Sequence, residues 1–540
     1  MDYAAARRAF SLEIPEYYNF GFDVIAKRAA EADKTAYIAV DAAVNTVRSV
    51  SFSELDRASN RFANLLLELG AQPNDFAFVM IPRLPAWYEV MIACIKAGVI
   101  AMPGTNLLTA KDIAYRVDRS QARFAIVTAD GAEKVDEILA ACPSLERLIV
   151  VGAERDGWTS YEVACAAADD DLDRSRVPHS RADDPMLVYF TSGTTSQPKM
   201  VPRDHGYALA HEITGRYWMD LGEDDVHWTL SDTGWAKAAW GLLFAPWQMG
   251  AAMVLYDAGP GFDTDAHLRV IESCKVSTFC APPTVYRIFA QTDLSGYDLT
   301  SLRHSLGAGE PLNPEVMRVW RDVTGNEIYD GYGQTETVNI VANFPGLEIR
   351  PGSMGKPVPG FDINVIDDSG AMLEDDTVGH IAVRLTDPHP PGLFHGYYKD
   401  DDATAKSFHD GWYYTGDTAT RDADGYIWFV GRADDIISSA SYRISPFEVE
   451  SVLLEHPAVA ESAVVGKPDD VRGEIVIAFV TLAPGHEGTE DLKKDIQEFV
   501  KAQTAPYKYP RLIEFRDALP KTISGKIRRT ELRAEAHAGK

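Results

Sequence analysis

The stretch Tyr189 to Val201, YFTSGTTSQPKMV, constrains this chain most. An apolar strand, Leu187 to Phe190, runs into a loop of hydroxyl and glycine residues that ends in Pro198 and Lys199. Small side chains, free backbone N–H groups and a closing cation are the ingredients for surrounding a polyphosphate. The loop is not a P-loop: counting from Gly193, the second glycine position is Pro198, and Lys199 is followed by Met200. On these residues alone, a polar surface loop remains the alternative.

Around this loop the chain alternates between strand and helix patterns. Ser53 is expected to cap a helix whose apolar residues Leu55, Ala58, Phe62, Leu65, Leu66 and Leu69 recur at steps of three and four, with Gly70 as its stop. A strand at Phe76 to Ile81, a helical stretch to Gly98 and a turn at Pro103-Gly104 follow, then β runs at Phe124 to Thr128 and Leu148 to Val151. This alternation predicts an α/β fold of parallel sheets covered by helices. The acidic, aperiodic segment Ala166 to Asp184 reads as a linker, and the α/β pattern resumes through Val276 to Cys280 and Asn326 to Tyr329. From Pro345 to Gly360 prolines and glycines crowd together, and short β pieces (Ile363 to Ile366, His380 to Arg384) mark a β-rich subdomain. Beyond Asp434 a helix from Pro446, strands at Ala463 to Val465 and Ile475 to Thr481, and a helix carrying Leu492, Ile496, Phe499 and Val500 form a small α/β module. The expected division is a large N-terminal domain, 1–433, and a C-terminal domain, 434–540.

A net charge of −28 argues against a nucleic-acid partner and means that anionic ligands must be held by local positive groups. The five scattered cysteines form no C-x-x-C pair or zinc spacing and read as reduced core residues. The N-terminus carries no long apolar run after its arginines, and the most apolar stretch, Val90 to Met102, is too short to span a bilayer. These features set the expectation of a cytoplasmic protein without an integral membrane segment.

Three further stretches carry chemistry: YDGYGQTET (329–337), WYYTGD followed by DADGYIWFVGRADDIISSASYR (412–443), and PKTISGKIRR (520–529). Singly, each has a plain reading: a helix start at TET, a hairpin turn at DADG, a solvated basic tail. In this order they resemble the acyl- and aryl-CoA synthetases of the adenylate-forming superfamily. MPGTNLLTAKDIAYR (102–116), SDTGWAKAAWG (231–241) and GRADDIISSASYRISPFEVES (431–451) are most similar to the medium-chain members. The resemblance covers nearly the whole chain. It implies that a carboxylate and MgATP form an acyl-adenylate and pyrophosphate, after which coenzyme A takes the acyl group and AMP leaves.

The resemblance also implies roles. Thr191, Ser192, Gly193, Thr194, Thr195, Ser196 and Lys199 would hold the β- and γ-phosphates, and Thr335 would touch them. Glu336 is similar to the Mg²⁺ ligand of the family. Tyr332 would stack on adenine within the segment Asp330, Gly331, Gly333, Gln334, facing a wall of Gly309, Glu310 and Pro311. Asp417 would accept the ribose hydroxyls and Arg432 donate to them. Lys526 would reach the α-phosphate and the attacking carboxylate in the first step. For the second, the C-terminal domain would swing about Asp434 and bring Ser438, Ser439, Ala440 and Ser441 to the CoA channel, with Arg443 near the AMP phosphate.

Two positions depart from the family pattern, which has glycine where this chain has Ser196 and Ser441. If the first needs a positive φ, serine there costs roughly 1–2 kcal/mol. Trp235, Ala308 and Gly333 are expected to bound the acyl pocket, with Trp240 either joining them or packing in the core. Acetate-specific relatives carry a bulky aromatic at the position of Gly333, so glycine is expected to open the pocket to medium-chain, branched short-chain or aromatic acids. The expected partners are a small carboxylic acid, ATP, Mg²⁺ and CoA, with a homo-oligomer left open. Two other functions stay open at this stage: an adenylating enzyme that serves a carrier protein, and a degenerate paralogue, motivated by Ser196 and Ser441, that binds without turnover.

Overall fold

The computed structural model describes residues 2–31, 34–45, 47–191, 198–257, 259, 261–440, 442–469, 471–521 and 526–538. Two large sheets form the body. The seven-stranded sheet has a parallel centre, in which Phe76–Met80 pairs with both Ile100–Pro103 and Phe124–Thr128. Its edge is an antiparallel hairpin, Pro185–Phe190 with Met200–Asp204, that closes the phosphate-loop stretch at its base. The nine-stranded sheet is also parallel at its centre, where Thr278–Ala281, His304–Ala308 and Ile328–Gly333 lie side by side. Near-continuous apolar runs such as Phe124–Thr128 suit strands covered on both faces. One apolar core lies between the two sheets, and each sheet's outer face has its own.

Helix Phe52–Glu68 is capped by Ser51, not Ser53: Ser51 accepts from the Glu54 backbone N–H while Glu54 returns a bond to the Ser51 N–H. That reciprocal capping box satisfies two otherwise orphaned donors, which explains why the earlier serine wins. Ser53 instead donates its hydroxyl to the Ala29 carbonyl. Gly70, with φ +85°, ends the helical segment as expected. The acidic segment read as a linker is held down, because the Asn64 amide donates to the carbonyls of Asp169 and Asp171.

An antiparallel five-stranded sheet follows, in which Trp412–Arg421 pairs with Ile427–Arg432 through a turn at Asp422 to Gly425. The DADG stretch is therefore a hairpin turn. The last sheet, built from 437–515, carries a small apolar core on each face, and both cores draw only on residues after 434. This module docks through helix Pro446–Leu453: Phe447 meets Phe429 edge-on, the Ser445 hydroxyl donates to the Val430 carbonyl, and the Asn313 amide donates to the Ser451 carbonyl. Among the described residues no helix is long and apolar enough to cross a membrane.

Candidate active site

The site forms where strand ends of the body meet the antiparallel sheet. At the base of the phosphate-loop stretch the Thr191 N–H donates to the Lys199 carbonyl, and the Lys199 N–H donates to the Thr191 hydroxyl. These bonds hold both ends of the loop together, whereas Ser192, Gly193, Thr194, Thr195 and Ser196 lie outside the described residues.

The Lys199 ammonium sits over the ring of Tyr397, 4.5 Å from its centroid, and the Tyr397 hydroxyl donates to Glu336 Oε1 at 2.8 Å. Glu336 is buried, and burial raises its carboxyl above the usual range. Its main chain is clamped as well, since its carbonyl accepts from the Phe394 N–H and from Arg203. Arg203 is itself buried, and its guanidinium lies over the Tyr207 ring. Thr335 is half-buried in a turn, so TET does not start a helix. Among the described residues no group of three or more side chains could hold a metal ion alone. One buried carboxylate joined through Tyr397 to the Lys199 ammonium nevertheless fits Mg²⁺, which is usually held by one or two carboxylates plus phosphate oxygens and water.

Tyr332 and Asp417 are in direct contact: the tyrosine hydroxyl donates to Asp417 Oδ2 at 2.6 Å. Gln334 Nε2 donates to the same oxygen at 2.7 Å, and Arg432 donates to Oδ1 at 3.0 Å. These three donors use three of the roughly four lone-pair sites of the carboxylate. Burial first, and the neighbouring Asp417 charge second, push the Tyr332 phenol well up, so it stays a neutral donor. Burial opposes the charge on Arg432, but Asp417 outweighs it and the net direction is up. Asp330 is buried in strand Ile328–Gly333, and burial pushes its carboxyl up to about 7. Gly309, at φ +100°, makes the left-handed turn after His304–Ala308 that leads into Glu310 and Pro311.

At Gly333 the direction a side chain would take is occupied rather than open. A Cβ on Gly333 would lie 2.4 Å from the Trp240 ring and 2.4 Å from the Val338 carbonyl oxygen. Likewise a Cβ on Gly331 would meet Trp218 at 2.3 Å. The two indoles are perpendicular, 6.4 Å apart. Both glycines therefore make room for tryptophans, and Trp240 takes the place that a side chain at Gly333 would occupy. Trp235 is half-buried and precedes the short helix Ala236–Ala239. Ala308 is buried, and its carbonyl accepts from Lys237 at 3.3 Å.

A cleft of about 330 Å³ runs beside this cluster, touching Lys199, Tyr397, Gly416 and Arg432; no described residue beyond Ala433 lines it. Asp434 is exposed in a short 3₁₀ turn, Ala433–Asp435. Ser438 and Ser439 belong to the hairpin Ile437–Ser439 with Tyr442–Ile444, in which Ser438 pairs with Arg443. Ala440 occupies its turn at φ +55°, and Ser441 lies outside the described residues. Arg443 and Lys526 are both exposed on the C-terminal module. The structure thus joins Thr191, Lys199, Glu336, Tyr332, Gln334, Asp417 and Arg432 through contacts, while Arg443 and Lys526 stand on the separate module.

Sequence reasoning missed Tyr397, Arg203 and Lys237. Arg203 stands outside any glycine- or hydroxyl-rich run, Lys237 lies within SDTGWAKAAWG with no pattern of its own to mark it, and only the neighbouring tyrosines of HGYYKD offered a weak signal for Tyr397.

A layered α/β body, a hydroxyl-rich stretch tied at Thr191 and Lys199 and a polar cluster of Asp417, Tyr332, Gln334 and Arg432 suit a nucleotide-dependent ligase of two parts. The comparisons narrow this. Residues 25–398 match the family model of the AMP-binding enzymes, and residues 448–526 match that of the AMP-binding enzyme C-terminal domain. The mitochondrial acyl-coenzyme A synthetase ACSM3 of Mus musculus is 45% identical over 98% of this chain and 93% of its own. ACSM4 of Homo sapiens is 43% identical over 100% of this chain and 94% of its own. Among solved structures, the anthranilate CoA ligase AuaEII in complex with anthranoyl-AMP superposes with a TM-score of 0.88 at 31% identity, covering 97% of this chain and 98% of that one. A benzoate CoA ligase from Burkholderia xenovorans LB400 gives 0.82 at 28%, covering 96% and 100%. The chain belongs to the AMP-binding enzyme family and is an AMP-forming acid–CoA ligase.

These relatives also correct one expectation. The ACSM3 and ACSM4 synthetases are named mitochondrial, which overturns the cytoplasmic location. Reduced cysteines, all five of them free here, suit any reducing compartment and do not single out the cytosol.

Proposed function

We propose that this ligase activates a branched short-chain, medium-chain or aromatic carboxylic acid, using Lys526 for adenylation and the hairpin 437–444 for thioester formation. The observation that carries the reading is the continuous contact chain from Lys199 through Tyr397 to Glu336, beside the Tyr332–Asp417–Arg432 cluster. It brings a cation, a buried carboxylate and a carboxylate acceptor, Asp417, to one place. Glu336 would hold Mg²⁺, which when bound offsets the phosphate charge against which the carboxylate must attack. Lys199 supplies a fixed positive charge on the pyrophosphate side, and Lys526 a second one delivered from the module. Arg432 keeps Asp417 oriented. For Asp417 to accept both ribose hydroxyls, Gln334 or Tyr332 must turn away from Oδ2.

The acid is read from the walls rather than from an opening at Gly333. Trp235, Trp240 and Ala308 would make a largely apolar lining, and the anthranilate and benzoate ligases with this fold support an aromatic acid among the candidates. The division at 433/434, with Asp434 as hinge, is supported by the separate cores on either side.

The test is a panel with octanoate, 2-methylbutyrate and benzoate that follows pyrophosphate release and CoA thioester formation. Both products are expected with at least one acid. Pyrophosphate without thioester at saturating CoA would overturn the reading in favour of a different acyl acceptor, and absence of both would favour binding without turnover.

A further inference from the structure

The C-terminal module must present two faces, and they are tied to the hinge in different ways. The hairpin Ile437–Ser439 with Tyr442–Ile444 follows Asp434 directly in the chain and is locked by its own pairing and by the bridge from Ser439 to Gly473. Lys526 comes some ninety residues later in the sequence. The residues on either side of it are tied by the bridge between Lys521 and Ile527, and by the Arg528 N–H donating to the Pro520 carbonyl at 2.9 Å.

From that base the helix Arg529–Ala538 begins. Arg529 and Arg533 are one turn apart and share a face of it. Arg529 donates to Glu450 Oε2 at 2.6 Å, on the helix Pro446–Leu453 that docks the module against the body. Glu450 is buried, and its other oxygen accepts from the Val464 N–H at 2.8 Å, so the acceptor is fixed on both sides. Arg533 donates to Asp435 Oδ1 at 2.5 Å, and Asp435 is the residue next to the hinge. A guanidinium suits such a brace, because its donors are held in a rigid fork where an ammonium would pivot.

We infer that Arg529 and Arg533 are positioning residues that brace the Lys526 loop against the hinge segment, so that rotation about Asp434 carries the lysine as part of one rigid body. The inference rests on the roles proposed for Lys526 and Asp434. It predicts an asymmetry. Cutting the brace leaves the hairpin 437–444 in register, since sheet pairing holds it, but lets the lysine drift from the α-phosphate. A displacement near 1 Å at a reacting group costs about a hundredfold.

The experiment uses full-length Arg533→Ala and Asp435→Asn, whose pair is only partly buried, and the double variant Glu450→Gln/Arg529→Gln, which leaves no unpaired buried charge. Each is assayed for acid-dependent pyrophosphate release with octanoate and benzoate, and for CoA thioester formation from supplied octanoyl-AMP and benzoyl-AMP. Lys526→Ala and Lys526→Ala/Arg533→Ala run alongside, with urea unfolding as a check of fold. Expected is a loss of about tenfold or more in adenylation with thioester formation within about twofold, and a double variant no worse than Lys526→Ala alone. Unchanged adenylation, equal loss in both half-reactions, or full additivity with Lys526→Ala would overturn the brace. If Lys526→Ala itself spares adenylation, the role of the lysine fails first, and that result is distinct from the other three.

Discussion

Tyr397 links two charges with one side chain: its ring carries the Lys199 ammonium and its hydroxyl holds Glu336. Tyr397→Phe keeps the ring and removes only the donor. A hydrogen bond to a charged group is worth about 1.5–3 kcal/mol, which corresponds to roughly ten- to a hundredfold in the rate of adenylate formation. Pyrophosphate release measured across MgATP concentrations should show that loss with little change in the unfolding midpoint; an effect within about twofold would remove Tyr397 from the site. Trp240 bears on substrate choice. Because its ring occupies the space beside Gly333, Trp240→Ala should cost about 3–5 kcal/mol of stability and widen the pocket. The ratio of kcat/KM for octanoate over butyrate should then rise, by about 1–3 kcal/mol of discrimination for each methylene that finds new room. An unchanged ratio would place Trp240 outside the acyl pocket.

Strand Ile328–Gly333 shows what its sequence could and could not reveal. Its glycines and aromatics mark a candidate ligand-facing strand end, but which side chains fill the space over Gly331 and Gly333 depends on Trp218 and Trp240, far away in the chain. The strands at Phe124–Thr128 and Ile363–Ile366 were legible to the residue, because apolar runs bounded by turn residues leave little choice. The cap at Ser51 was not, since two serines two positions apart compete and only Glu54 decides between them. The same strand carries a pH signature. Asp330 holds its proton up to about pH 7 in the folded chain, against a carboxyl that ionises near 3.8 when unfolded. Between those values the folded state binds more protons, so stability falls as pH rises through that window, by at most about 4 kcal/mol. Asp330→Asn should flatten this slope; urea unfolding of the ligand-free protein at pH 5 and pH 8 measures it. A variant with the wild-type slope would mean that Asp330 is not the group responsible.

The whole molecule is two bodies with a narrow join. Residue texture placed the join near Asp434 because turn-rich sequence gives way there to a fresh helix-and-strand pattern; the arginine brace escaped notice because PKTISGKIRR reads equally well as a solvated basic tail. Among the described residues the contacts across the join include Phe447 on Phe429 and the bonds from Ser445 and Asn313. The module's cores, in contrast, are closed within 437–536. Cores built from separate stretches of chain are coupled only through such contacts, so they should melt separately. Leu453, fully buried in the module, isolates the effect: Leu453→Ala removes its side chain from that core at a cost of about 2–5 kcal/mol. Calorimetry of the full-length protein should show two transitions, with the variant lowering one and leaving the other in place. Hydrogen exchange should assign the shifted transition to residues after 434. A single transition that moves as a whole would mean that body and module unfold as one unit, and the narrow join would then be stiffer than its contacts imply.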